Sequence, residues 1–245
     1  MTSDYDFLTK HRKMWRSKRV LQTLYKDQFY RRLLENRAPG TKNLEIGSGP
    51  GFFAEIDPSV WRTDILPSPW IDGAVDAHHL PIGNRALDNL LGLDVLHHFE
   101  HPVSFLKEAA RVLRPGGRIV LVEPWITAFS RFVYTYLHQE GCDMGLTPWL
   151  DRVDGFSEHK QAFDGNASIP YLLIKHGVEQ AVPALRLLKV ERFSLFTYLL
   201  SLGFKRGNLL PGVLYPLVYK IETTTRPVWN KFAALRALII WERQA

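Results

Sequence analysis

The stretch Asn43-Leu44-Glu45-Ile46-Gly47-Ser48-Gly49-Pro50-Gly51-Phe52-Phe53 places three glycines in five residues behind an apolar run. Glycine in such a pattern lets bare backbone approach a ligand, because a side chain would block the way and because turn residues of this kind often need positive φ. A strand that runs into a glycine turn and on into a helix aims backbone N–H groups and a helix N-terminus beyond the carboxyl edge of a parallel sheet. The spacing here is Gly-x-Gly-x-Gly. A dinucleotide pyrophosphate is accommodated by Gly-x-Gly-x-x-Gly, and a triphosphate loop needs a Lys-Ser/Thr pair that does not follow here. Glu45, two residues before the first glycine, would repel phosphate and could meet an ammonium group. The expected ligand therefore lacks phosphates and sits against Glu45, Gly47, Ser48, Gly49 and Gly51.

More acids fall at the ends of the strands that follow. Asp64, 19 residues beyond Glu45, is placed to accept hydrogen bonds from ribose hydroxyls. Asp76-Ala77 offers a carboxylate to an exocyclic amine and a backbone N–H to a ring nitrogen. Ribose, adenine and an amino-acid end without phosphate together describe S-adenosylmethionine. Asp94 ends the fourth strand and is expected to face the methionine end. His97 and His98 come directly after it, where a reacting methyl group would point. They fit either of two roles, a structural cap or a base that removes a proton from a hydroxyl acceptor. No metal is expected among His78, His79, His97, His98 and His101, because adjacent histidines diverge and no thiolate or acidic ligand pattern accompanies them.

The elements that must position these residues are legible from periodicity. Val20, Leu21, Leu24, Tyr25, Phe29, Leu33 and Leu34 repeat at helical spacing over Trp15 to Leu34. Strands are expected at Asn43–Ile46, Val60–Thr63, Ile71–Val75, Asn89–Leu93 and Arg118–Val122, with a short helix over Gly51–Ala54. Pro102 opens a helix whose apolar positions run from Val103 to Leu113, and Arg114-Pro115-Gly116-Gly117 stops it. A helix over Pro170–Ala184 and strands at Leu187–Phe193 and Ala237–Trp241 complete the pattern. Strands alternating with helices predict an α/β fold with a mainly parallel sheet covered on both faces.

Together "NLEIGSGPGFF", "VDAHHLPI" and "LDVLHHFEHPVSFLKEAARVLRPGGRIVLVEP" resemble the class I S-adenosylmethionine-dependent methyltransferases, specifically the type 11 group that includes quinone-biosynthesis and many small-molecule enzymes. The similarity covers Asn43 to Pro124. It implies a Rossmann-like sheet of seven strands in the order 3-2-1-4-5-7-6, the seventh antiparallel. It also implies that Gly47, Gly49, Gly51, Asp64, Asp76 and Ala77 hold S-adenosylmethionine, with S-adenosylhomocysteine as product. Most members have a helix between strands two and three, and Asp64 to Ile71 leaves no room for it. Ile65, Leu66 and His78 or His79 are then expected to form the adenine wall.

The 245 residues suit one methyltransferase domain: a helical region over 1–40, a cofactor-binding core over 43–124, substrate-side loops and helices over 125–185 and an apolar insertion or lid over 204–235. Substrate selection is expected after strand five, with His138, Glu140, Asp143, Asp164 and Asn166 as polar candidates. The acceptor expected is a small molecule, lipid-linked or a glycan precursor, methylated at O or C. Two other readings stand beside it: a partner subunit that binds the cofactor without catalysis, and a nicotinamide oxidoreductase, which the glycine spacing disfavours. A net charge of +6, much of it in the first forty residues, fits a solvated helix face or an anionic surface. Nucleic acid is disfavoured, since no Asn/Asp-Pro-Pro-aromatic signature and no basic stripe with interleaved aromatics are present. The single Cys142 and the polar first twenty residues point to a reducing, cytoplasmic setting. Leu209 to Phe232 and the basic first helix could rest on a membrane surface, or the insertion could pack on the core as a lid.

Overall fold

The structure, a computed structural model, describes residues 4–137, 141–149 and 162–245. Helix α1 (Asp4–Ser17) is followed by α2 (Arg19–Leu24), a π-helical stretch over Tyr25–Tyr30 and α3 (Arg31–Glu35). The core then builds β1 (Asn43–Ile46), β2 (Trp61–Asp64), β3 (Gly73–Ala74), β4 (Leu87–Leu93), α4 (Pro102–Val112) and β5 (Leu113–Pro124). After it come α5 (Ala128–Tyr136), α6 (Ile169–Lys175), β6 (Leu185–Phe193), α7 (Phe196–Ser201), α8 (Tyr215–Ala233) and β7 (Arg236–Arg243).

The strands form one sheet in the order β3-β2-β1-β4-β5-β7-β6. Pairing is parallel from β3 through β5, and β7 runs antiparallel to both β5 and β6. This is the Rossmann-like arrangement that the family resemblance implied. Layers on both faces explain why β4 and β5 are apolar without alternation. Leu90, Ile119, Leu121 and Ile239 pack on one side with Phe105, Leu106 and Ala109 of α4 and Leu172 of α6. Leu91, Val120, Val122 and Leu238 face the other side, against Leu21, Leu24, Phe29 and Leu33 of the N-terminal helices.

Several elements depart from the expected boundaries for identifiable reasons. The first helix begins earlier, at Asp4, and breaks at Lys18, whose φ of −116° and ψ of 85° are not helical. The Lys18 ammonium is buried and donates to the carbonyls of Ser201 and Gly203, both at 2.7 Å, and of Lys205 at 3.2 Å. Expected as part of a solvated basic face, it instead ties the N-terminal helices to the end of α7. The helix over Gly51–Ala54 is a single 3₁₀ turn at Phe52–Glu55. The third strand contracts to two residues, where Arg62 clamps the Asp72 carboxylate. β5 starts five residues early, because Leu113 pairs with Leu87 ahead of a bulge. The helix expected to reach Ala184 ends at Lys175, and Gly177 turns the chain at a φ of +68°.

The apolar insertion is mostly the nineteen-residue α8, docked through Trp229 against Val133 of α5 and Leu195 ahead of α7. Glu222 is its buried tether. The carboxylate accepts from Leu195 N at 3.3 Å, Thr197 N at 2.7 Å and Thr197 Oγ1 at 2.9 Å. Glu222→Ala strips those buried donors of their acceptor and should cost about 2–4 kcal/mol, read as a lowered midpoint in urea unfolding. An unchanged midpoint would show that α8 is not anchored there.

Candidate functional site

The turn after β1 has all three glycines in the left-handed region, Gly47 at φ +62°, Gly49 at +48° and Gly51 at +70°. Two of them also yield space to the protein. A Cβ on Gly47 would lie 2.3 Å from Val95 Cγ2, and one on Gly51 would lie 2.3 Å from the Trp70 carbonyl oxygen. Gly49 differs, since the nearest atom to a Cβ there is Leu8 Cδ2 at 3.8 Å. Protein packing alone does not exclude a side chain at Gly49.

Three of the turn's N–H groups do not aim at a ligand as the sequence suggested. Ser48 N donates to Thr63 O at 2.9 Å, Gly49 N to Asp64 Oδ2 at 2.7 Å and Gly51 N to Ser48 O at 2.8 Å, while Pro50 has no N–H. Closure of the turn onto β2 and onto itself consumes these three, so a phosphate would find few donors there. Glu45 is also corrected. At 2% exposure it lies under the turn, and burial pushes its carboxyl up to about 8, with Asp64 adding to the rise and Ser48 and Arg62 opposing it. Near neutral pH it is largely uncharged and does not act as the fixed negative charge that the sequence implied.

Asp64 stands at the end of β2 and also accepts from Leu66 N at 2.9 Å. Burial raises its pKa against these backbone hydrogen bonds. Ile65 beside it points largely into solvent, at 58% exposure. Asp76, after β3, accepts from His78 N at 2.8 Å and faces His78 Nδ1 at 2.7 Å. Burial works against its charge, but the contacts with His78 hold its pKa below the ordinary value. Ala77 next to it is half-buried.

A second group of side chains gathers where β4 and β5 end. His97 is 1% exposed, and its Nδ1 lies 2.7 Å from Glu123 Oε2. The other oxygen of Glu123 accepts from Val95 N at 2.9 Å and Leu96 N at 2.8 Å. Asp94 takes a φ of +56° and pairs with the buried Arg236, whose other nitrogen donates to Tyr198 OH at 2.7 Å. Burial lowers the Arg236 pKa to about 10, which keeps it protonated near neutral pH. Donor atoms of Asp94, His97 and Glu123 lie within 4.8 Å of one another, so an acidic pattern that the sequence reading missed does accompany His97. Those carboxylates already serve Arg236, two backbone N–H groups and the imidazole, which fits an orienting network better than a metal site.

The expected substrate residues divide. Gly165 packs onto the histidine pair, since a Cβ there would lie 2.7 Å from His98 Nδ1 and 3.0 Å from His97 Cδ2. Asn166 N donates to His97 O at 2.9 Å, and His98 Nδ1 lies 3.2 Å from Asp164 O. Asn166 Oδ1 accepts from Asp143 N and from both Ser168 N and Ser168 Oγ, so Asn166 and Asp143 brace this loop over the histidines. His138 and Glu140 lie outside the described residues. Cys142 is half-buried, and burial raises its thiol pKa.

The roof of the site was not legible. Leu8, Arg12 and Trp15 fall at i, i+4 and i+7 of α1 and run along the glycine turn. Leu8 approaches Gly49, Arg12 donates to Pro50 O, and Trp15 stacks on Phe52 at 4.2 Å and donates to Glu55 at 3.0 Å. The Arg12 guanidinium also lies 4.8 Å over the ring of Trp70, on which Tyr5 stacks at 5.7 Å. Arg236 and Glu123 were missed as well. Their signal was a charge at the end of an otherwise apolar strand, "RALIIW" and "RIVLVE".

A family model described as a methyltransferase domain, of type 11, matches residues 44–121. Among curated relatives, an uncharacterized 37.1 kDa protein in transposon TN4556 of Streptomyces fradiae is 34% identical over 107 residues, covering 35% of this chain and 31% of its own. A probable tRNA methyltransferase 9B of Mus musculus is 28% identical over 104 residues, covering 37% of this chain and 23% of its own. An uncharacterized methyltransferase of Mycobacterium sp. strain JLS is 27% identical over 168 residues, covering 60% of this chain and 63% of its own. The chain thus spans less than a third of the length of the Streptomyces and mouse relatives. A solved S-adenosylmethionine-dependent methyltransferase from Archaeoglobus fulgidus shares the fold, with a TM-score of 0.52 at 16% identity over 91% of this chain and 93% of its own.

The raised Glu45 pKa sets a pH dependence whose sign is fixed. Between the ordinary value of 4.5 and about 8 the folded state holds a proton that the unfolded state has released, so stability falls as pH rises through this window. Glu45→Gln should remove that slope, which is at most about 1.4 kcal/mol per pH unit. Thermal melts of both proteins across the window check it, and parallel curves would place the Glu45 carboxyl in water.

Proposed function

We propose that this chain, whose residues 44–121 match a family model described as a methyltransferase domain, of type 11, binds S-adenosylmethionine at the glycine turn and transfers its methyl group to O or C of a small-molecule acceptor. One observation carries the ligand assignment: the N–H groups of Ser48, Gly49 and Gly51 are all spent inside the protein. A turn that offers shape and few donors suits a phosphate-free ligand and disfavours a nicotinamide dinucleotide. In this reading Gly47, Ser48, Gly49 and Gly51 form the cradle, Asp64 takes the ribose hydroxyls, and Asp76 with Ala77 takes the adenine. Ile65 contributes the rim of the adenine wall, Glu45 supports the turn from below, and Asp94 lies toward the methionine end. When bound, the sulfonium supplies an activated methyl group for in-line displacement.

The chain's own contribution is alignment and exclusion of water. Glu123 fixes the His97 ring, and Arg236 fixes Asp94 at its strained backbone position. The loop with Gly165 and Asn166 closes over the histidines and, with Asp143 and Asp164, shapes the acceptor side. His97, oriented by a carboxylate in the manner of a general base, is the residue that would take the proton of a hydroxyl acceptor. His98 borders the same space through its contact with Asp164.

Two substitutions separate these roles. Gly49→Val places a branched side chain at left-handed φ in the cradle beneath Leu8 and should abolish S-adenosylmethionine binding in calorimetry, while the circular dichroism spectrum persists. Retained affinity removes the cofactor assignment. His97→Asn should leave cofactor affinity unchanged and lower methyl transfer from labelled S-adenosylmethionine by about a hundredfold or more. Equal loss of binding and turnover would make His97 a structural clamp.

A further inference from the structure

The outer face of α8 is apolar and cationic, and it has no exposed acid. Leu217, Ile221, Val228 and Phe232 recur at spacings of four, seven and four, a narrow band on a helix of 3.6 residues per turn. They are 58%, 48%, 77% and 66% exposed, and Val213 at the helix entry is 86% exposed. The only carboxylate on α8, Glu222, is turned inward to α7, whereas Lys220 and Lys231 are exposed. Beside Val213 opens a groove lined by Arg16, Arg19 and Arg206, with no Asp or Glu among its lining residues. All three arginines are exposed. Lys205 links this area to the end of α5 by donating to Leu137 O at 3.0 Å.

We propose that the outer face of α8, together with the arginine groove beside it, docks on an anionic lipid surface. Charge selects this occupant. A second copy of the same face would bring Lys220, Lys231 and the arginines against their like, a repulsive arrangement for a two-fold contact. The apolar band is mainly aliphatic, so it offers little platform for stacking bases. Exposed aliphatic residues flanked by cations are what an interfacial helix presents to headgroups and acyl chains. No described helix is long and apolar enough to cross a membrane, so the contact would be peripheral. Arg16 lies at the end of α1, which roofs the glycine turn, so a docked surface would adjoin the roof of the proposed cofactor site. Docking itself does not depend on the methyltransferase reading.

Sedimentation of the full chain with vesicles tests the proposal, comparing pure phosphatidylcholine with an equimolar mixture of phosphatidylcholine and phosphatidylglycerol. Binding to the mixed vesicles, weakened by salt and largely absent on the neutral ones, is expected. Ile221→Glu with Val228→Glu, and separately Arg16→Glu with Arg19→Glu and Arg206→Glu, should each reduce that binding by roughly tenfold or more. Both sets alter exposed positions, and unchanged melting temperatures confirm that the fold survives. Absence of binding to mixed vesicles by the wild-type chain overturns the proposal, as does equal binding by the variants. It is equally overturned if light scattering shows a dimer that Ile221→Glu dissolves, or if RNA is retained while vesicles are not. Calorimetry with S-adenosylmethionine on the same protein keeps this result separate from the fate of the cofactor assignment.

Discussion

The turn after β1 closes because three glycines take left-handed backbone, and the protein fills the space that two of them leave. Val95 enters at Gly47 and the Trp70 backbone at Gly51. This couples the end of β1 to the end of β4 and to the connection between β2 and β3, so the turn cannot be moved without disturbing the carboxyl edge of the sheet. Asp64 completes the closure from β2 by holding Gly49 N. α1 then lies on the finished surface with Leu8, Arg12 and Trp15, and its path is set by the break at Lys18.

The neighbouring edge is held by charge where the turn is held by shape. Glu123 joins the end of β5 to Val95, Leu96 and His97, and Arg236 joins the start of β7 to Asp94 and Tyr198. Buried ionic groups of this kind are costly unless every partner is in place, and in return they fix one geometry. Reactions that depend on in-line approach gain most from such rigidity, because small misplacements raise the barrier steeply. The strained φ of Asp94 falls at the point where the proposed methyl transfer would occur, as backbone strain often does at functional sites.

Most strand positions were readable because β4 and β5 are buried on both faces and carry apolar runs, and the sheet order was implied by the family resemblance. The glycine turn was readable because its chemistry is local. Details that depend on distant partners were not. Lys18 looked like one more surface cation until its ammonium met three carbonyls almost two hundred residues away in the chain. Glu45 looked like a charge facing a ligand, and burial beneath the turn makes it largely neutral. Asn166 and Asp143 looked like substrate ligands, yet their polar atoms brace a loop. The short third strand lies beside the Arg62–Asp72 clamp, which no periodicity announces.

In the proposed function this turn holds a phosphate-free adenosine cofactor. Calorimetric titration of the purified chain with S-adenosylmethionine, S-adenosylhomocysteine and NAD addresses it most directly. Saturable binding of the first two at one site, and none of the third, is the expected result. Binding of NAD alone would contradict it, because the N–H groups a pyrophosphate needs would then have to be released from Thr63, Asp64 and Ser48.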